Sequence, residues 1–135
     1  MWFPVLRQGI PCATIAAMAP TIVIVDDHPS FRASARAILE AGGFEVVGEA
    51  ADGASAVETV QRLQPDVVLL DVQLPDATGF EVCRLLERAN GSAPAIVFVS
   101  SRDLADYGEL VKSSRARGFV PKGELSGEAI AALIA

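Results

Sequence analysis

Five side chains able to handle a phosphoryl group stand at the ends of four short apolar runs. Asp26-Asp27 follows Thr21–Val25, Asp71 follows Asp66–Leu70, Ser100 follows Ala95–Val99, and Lys122 follows Gly118–Pro121. Three carboxylates brought to one place repel one another, and keeping all of them ionised is costly unless a cation sits among them. A hard divalent ion answers that need. Mg²⁺ binds through one or two carboxylates with waters and a phosphate oxygen, and with Lys122 it would cancel the carboxylate charge. A carboxylate alone at a strand end, as Asp71 is, can attack phosphorus in line and form an acyl phosphate. Asp26 and Asp27 are then expected to hold the metal. Lys122 is expected to neutralise a phosphoryl oxygen, and the Ser100 hydroxyl to hydrogen-bond another.

Taken singly, each group has a plainer role. A strand-end Asp is commonly a turn former, Asp26-Asp27 before Pro29 could be a capping turn, and Ser100-Ser101 could be loop residues. His28 reads as an exposed neighbour of that turn, and Cys83, among Phe80, Val82, Leu85 and Leu86, as packing on its helix. The chemical reading therefore depends on elements that bring the four places together.

The chain beyond Thr21 alternates apolar runs with amphipathic stretches, the pattern of βα units around a parallel sheet. Strands are expected at Thr21–Val25, Phe44–Glu49, Asp66–Leu70, Ala95–Val99 and Gly118–Pro121. Their near-uniform Val, Ile, Leu and Phe content suits strands covered on both faces. The first helix should open at Pro29 and stop at Gly42-Gly43, and others are expected over Gly53–Leu63, Gly79–Ala89, Leu104–Ser114 and Leu125–Ile134. Right-handed crossovers make this an α/β fold, a three-layer α/β/α sandwich. Ligands in such sheets gather at the carboxyl ends of the strands, where the Asp, Ser and Lys residues stand.

With 135 residues the chain suits one domain. Residues 1–20 read as a disordered N-terminal extension and 21–135 as the domain; the extension has neither a basic start nor an unbroken apolar run for a signal peptide or membrane span. A net charge of −6 disfavours autonomous nucleic-acid binding. Cys12 and Cys83 lack zinc or disulfide spacing, which fits a reducing, cytoplasmic setting.

The motifs Ile-Val-Asp26-Asp27-His-Pro, Leu-Leu-Asp71-Val-Gln-Leu-Pro-Asp-Ala-Thr-Gly79, Val-Phe-Val-Ser100 and Gly-Phe119-Val-Pro-Lys122 resemble the receiver domains of two-component response regulators. The resemblance covers roughly Thr21 to Ile134 and is strongest to receivers that precede helix-turn-helix output domains. It implies a flavodoxin-like five-stranded parallel sheet of order 2-1-3-4-5, and phosphoryl transfer to Asp71 from a histidine kinase or phosphotransfer protein. It also implies Mg²⁺ held by Asp27, Asp71 and the Gln73 carbonyl, with Asp26 acting mainly through water. Phe119 becomes the aromatic that turns inward when Ser100 moves toward the phosphate. The face of the fourth helix, fifth strand and fifth helix becomes a candidate homodimer surface.

Departures are local. Gly123, where many relatives have proline, follows Lys122, and Pro121 precedes it, which an edge strand tolerates. Gly108 would interrupt the fourth helix and Arg115 replaces a C-terminal glycine, so that helix is expected to be marginal and mobile. With nothing after Ala135 in the sequence, the expectation is a stand-alone switch or a piece of a longer regulator. Two other functions compete: a degenerate receiver used for docking, and a phosphatase with an Asp nucleophile. The docking reading would want a rim residue missing, and none is. The phosphatase would want a second Asp two residues after Asp71, where Gln73 stands.

Overall fold

The two-residue alternation of the strands divides the core into two layers. In a computed structural model, which describes residues 19–88, 93–102 and 106–135, five parallel strands lie in the order β2-β1-β3-β4-β5. They are β1 (Thr21–Val25), β2 (Glu45–Ala50), β3 (Val67–Asp71), β4 (Ala95–Ser100) and β5 (Gly118–Pro121). Helices α1 (Pro29–Ala41), α2 (Gly53–Leu63), α3 (Gly79–Arg88), α4 (Gly108–Ser113) and α5 (Gly127–Ile134) alternate with them. Ile22, Ile24, Val67, Leu69, Val97 and Val99 pack on one face with Ala35 and Leu39 of α1 and Ile130 of α5. Val23, Val25, Val68, Leu70, Ile96 and Phe98 pack on the other, against Ala56 and Val60 of α2 and Val82, Cys83 and Leu86 of α3. Each large side chain so buried contributes roughly 1.5–3 kcal/mol over leaving it exposed.

The helix ends follow local chemistry. His28 is the extended residue before α1, Pro29 starts it, and Gly43 turns the chain at φ 94° after it. Asp52 caps α2 by accepting from the Ser55 N–H at 2.8 Å. The Asp76 carboxylate, reaching over from the loop after β3, accepts from the next free donors, Gly53 N–H at 2.7 Å and Ala54 N–H at 3.1 Å. That ties the loop beyond Asp71 to a neighbouring helix.

The elements agree with those expected from sequence, with informative shifts. Asp71 and Ser100 are the last residues of β3 and β4, not the first beyond them. β2 starts at Glu45, since the Phe44 N–H donates to Leu39 O at the end of α1, at 3.0 Å, instead of to the sheet. α5 begins at Gly127, because the Ser126 hydroxyl caps it by accepting from the Ala129 N–H at 3.0 Å; a one-turn 3₁₀ helix, Lys122–Glu124, precedes it. The fourth helix needs a larger correction. It covers only Gly108–Ser113, so Gly108 opens it and does not interrupt it. Tyr107, the residue before it, has non-helical angles of φ −129° and ψ 4°, and its ring lies near Phe80 and Phe119. Leu104, Ala89 and residues 1–18 with Cys12 lie outside the described residues. Pro20, at the end of the expected extension, is tied to the sheet through its carbonyl, which accepts from Glu45 N–H at 2.9 Å. No helix among the described residues is long and apolar enough to cross a membrane.

Candidate functional site

Continuing the alternation one step past the core explains which groups meet. Asp26 carries on the Ile22, Ile24 series and Asp71 the Val67, Leu69 series, so both face the α1 and α5 side of the sheet. Lys122 follows Val120 by two and reaches the same side. Its Nζ lies 2.6 Å from Asp26 Oδ2 and 3.5 Å from Asp71 Oδ2, and 4.5 Å from the centre of the Phe31 ring. Ser100 carries on the Ile96, Phe98 series and leans the other way. The register still brings it to the same rim, since Asp71 pairs with Val99 and Ser100 with Pro121.

A cleft of about 210 Å³ opens there, lined among others by Asp27, Asp71, Gln73, Ser100, Ser101 and Lys122. Asp26 lies beneath it, fully buried. Five of the expected site residues thus share one opening. Phe119 does not; it packs on Tyr107, with ring centres 6.4 Å apart. The loop after Asp71 is shaped by short bonds: Gln73 N–H donates to Asp71 Oδ1 at 3.3 Å, and Leu74 N–H to Ala77 O at 3.0 Å. Gly79 lets α3 start against the strand end, because a Cβ there would collide with the Asp71 carbonyl.

The electrostatics are unbalanced in a way that fits a cation. Burial and the neighbouring Asp26 charge push the Asp71 carboxyl up to about 6, and Lys122 and the Gln73 N–H offset this only in part. Burial works against the charge on Asp26 too, but Lys122 and the His28 N–H outweigh it and hold that carboxyl below the usual value. Asp27 Oδ1 is buried yet accepts no hydrogen bond among the described residues, although His28 Nδ1 stands 3.1 Å away. Ligand atoms of Asp26, Asp27, His28 and Asp71 lie within 4.8 Å of one another. Lys122 alone leaves three carboxylates under-neutralised, and the unused Asp27 oxygen is a hard donor of the kind Mg²⁺ takes.

Three contributors lay outside the sequence reading. His28, read as a bystander, donates its N–H to Asp26 Oδ1 at 2.8 Å and holds Nδ1 3.0 Å from the same oxygen. Phe31 flanks the lysine, and Arg32 donates to the Asp26 carbonyl at 2.6 Å. The only sequence signal for them was position in the first turn after Asp26-Asp27, which α1 folds back over the rim.

Comparison with known proteins gives a consistent result. Residues 22–134 match the response regulator receiver domain family. The DNA-binding transcriptional activator EvgA of Escherichia coli is 36% identical over 111 residues, 82% of this chain and 54% of EvgA. The nitrate/nitrite response regulator protein NarP of the same organism is 38% identical over 102 residues, 75% of this chain and 47% of NarP. This chain thus spans about half the length of the curated relatives it matches. Among solved structures, the signal receiver domain of the putative response regulator NarL from Mycobacterium tuberculosis superposes with a TM-score of 0.73. It is 30% identical, over 85% of this chain and 96% of that one.

Proposed function

This chain belongs to the response regulator receiver domain family, and from that premise we propose that it is a Mg²⁺-dependent switch phosphorylated on Asp71. The observation that carries the reading is the pairing of a buried, poorly neutralised Asp71 with Lys122 in a cleft that also presents Asp27 and Ser100. Asp27, Asp71 and the Gln73 carbonyl would hold Mg²⁺, with Asp26 acting behind them. The ion supplies positive charge to the phosphoryl oxygens. An Asp71 oxygen bonds to phosphorus as the phosphorus–nitrogen bond of a phosphohistidine breaks, and the freed imidazole keeps the electron pair. Lys122 leaves Asp71 for the incoming phosphoryl oxygen while retaining Asp26, and the Ser100 hydroxyl donates to another oxygen.

The donor would be a histidine kinase or phosphotransfer protein. Movement of Ser100 would draw Phe119 inward and change the face of α4, β5 and α5, where a groove of about 250 Å³ lined by Phe119, Pro121, Ala129 and Leu133 borders the open edge of β5. That face suits a homodimer or a downstream partner. Gln73 offers no general acid, which disfavours turnover of outside phosphate esters.

Intact-mass spectrometry after incubation with a small phosphodonor and Mg²⁺ tests the proposal. One phosphoryl adduct is expected on wild type and none on Asp71→Asn or after chelation of Mg²⁺. An undiminished adduct on Asp71→Asn would overturn the assignment of Asp71.

A further inference from the structure

We propose that Arg32 is a positioning residue for the metal-holding pair Asp26-Asp27, and that Glu49 is what fits it for that task. The inference rests on reading Asp26, Asp27 and Asp71 as a Mg²⁺ site.

β1 ends at Val25, so the ladder stops at Asp26. Its N–H still donates to Ala50 O at 3.0 Å, but its carbonyl lies past the last strand pair in a residue that is fully buried. A buried carbonyl left without a donor costs about 1–3 kcal/mol. Arg32, one turn into α1, places Nη1 2.6 Å from that oxygen. The carbonyl belongs to the planar peptide unit joining Asp26 to Asp27. Holding its oxygen fixes the plane from which the two carboxylates depart, one down to Lys122 and His28 and one to the cleft.

A guanidinium beside three carboxylates is also a rival cation, able to pair with one of them or repel a divalent ion. Glu49 prevents this. Its Oε1 accepts from Arg32 Nε at 3.0 Å, and its Oε2 takes Arg36 Nε and Nη2 at 2.9 and 2.8 Å. Glu40 pairs with Arg36 Nη1 at 3.3 Å, so two carboxylates balance two guanidiniums, and Arg32 is paired on one edge and donating from the other. The planar fork allows both bonds at once, which an ammonium cannot do in that geometry. Side chains behind a metal ligand typically govern affinity by about 10–100-fold.

Calorimetric titration of the full chain with Mg²⁺ tests this, with thermal melts in metal-free buffer and the ¹⁵N amide shifts of Asp27 and His28 as readouts beside affinity. Arg32→Gln is expected to weaken Mg²⁺ by about tenfold or more and to shift both amides before metal is added. Arg32→Lys should restore only part of the affinity, since it returns the charge without the fork. Glu49→Gln should weaken Mg²⁺ with Arg32 still present, because the guanidinium charge is then uncompensated. Lower melting temperature in folded Arg32→Gln with wild-type Mg²⁺ affinity would overturn the proposal by showing a purely structural role. Should Arg32→Gln not fold, unchanged affinity in Glu49→Gln overturns it equally. Wild type that binds no Mg²⁺ sinks the metal reading and this inference together, whereas wild-type binding with unaltered variants sinks this inference alone.

Discussion

The two faces of the sheet are finished to different degrees. On the α1 and α5 side, the buried carboxylates of Asp26 and Asp71 share Lys122, with Arg32 and Glu49 behind Asp26, and Asp27 Oδ1 at the rim is left without a hydrogen bond among the described residues. On the side of α3 and α4, Ser100 and Phe119 meet a thinner cover. There α4 has six residues and buries none of them, Leu110 is 49% exposed, and the Tyr107 hydroxyl is buried with no hydrogen-bond partner among the described residues. Charges that must sit at fixed separations need a pinned frame. In the proposed switch, the face that changes when a phosphoryl group arrives is drawn from the less stable part of the fold.

Amide hydrogen exchange of the unphosphorylated protein probes that contrast most directly. Amides of Val23–Val25 and Val68–Leu70 should exchange at least about 10³-fold more slowly than those of Leu110–Ser113. Uniformly high protection through Ser113 would abolish the difference between the faces and with it the idea that α4 is mobile before phosphorylation.

The next largest effect is the cost of the pinned face without its cation. Asp71 titrates near 6 when folded, against an ordinary value of 3.8, so the folded state holds that proton more tightly. Stability from this group is therefore full below about pH 4, falls as pH rises toward 6, and is level above; a shift of about two units corresponds to about 3 kcal/mol. Asp26 works in the opposite sense, its contribution being lost only as pH falls below the usual carboxylate range. Denaturant melts in chelator should show wild type losing stability between pH 4.5 and 7 and Asp71→Asn losing much less. Parallel profiles for the two proteins would show that Asp71 is not the strained group.

The smallest effect belongs to the loose face. Tyr107→Phe removes the hydroxyl that has no partner among the described residues and keeps the ring between Phe80 and Phe119, and it should raise stability by about 1 kcal/mol in a thermal melt. A loss of similar size would mean that the hydroxyl is already satisfied and that the two faces are closer in finish than their contacts indicate.

Much of this was legible in the residues. Apolar runs of four to six with interleaved helical periods point to a parallel sheet with both faces covered, because the helices that alternate with the strands lie over its two faces. The rim followed from that, since strand ends in such a sheet lie together, and Asp26, Asp27, Asp71, Ser100 and Lys122 each closed a run. What differed was local: Gly108 was expected inside the fourth helix, whereas it opens that helix and Tyr107 stands before it at non-helical angles, with its ring near Phe80 and Phe119, residues far off in the chain.

Sequence by itself therefore determined the set of candidate groups and the sheet that gathers them, since residue type and two-residue alternation are local properties. Only the tertiary structure decided which groups share a partner. Lys122 lies 2.6 Å from Asp26 but 3.5 Å from Asp71, and Arg32 finds a carbonyl while Glu49 cancels its charge. Those relations depend on how α1 and β2 lie over the end of β1, and Coulomb and hydrogen-bond energies at such separations change over distances that no spacing along the chain specifies.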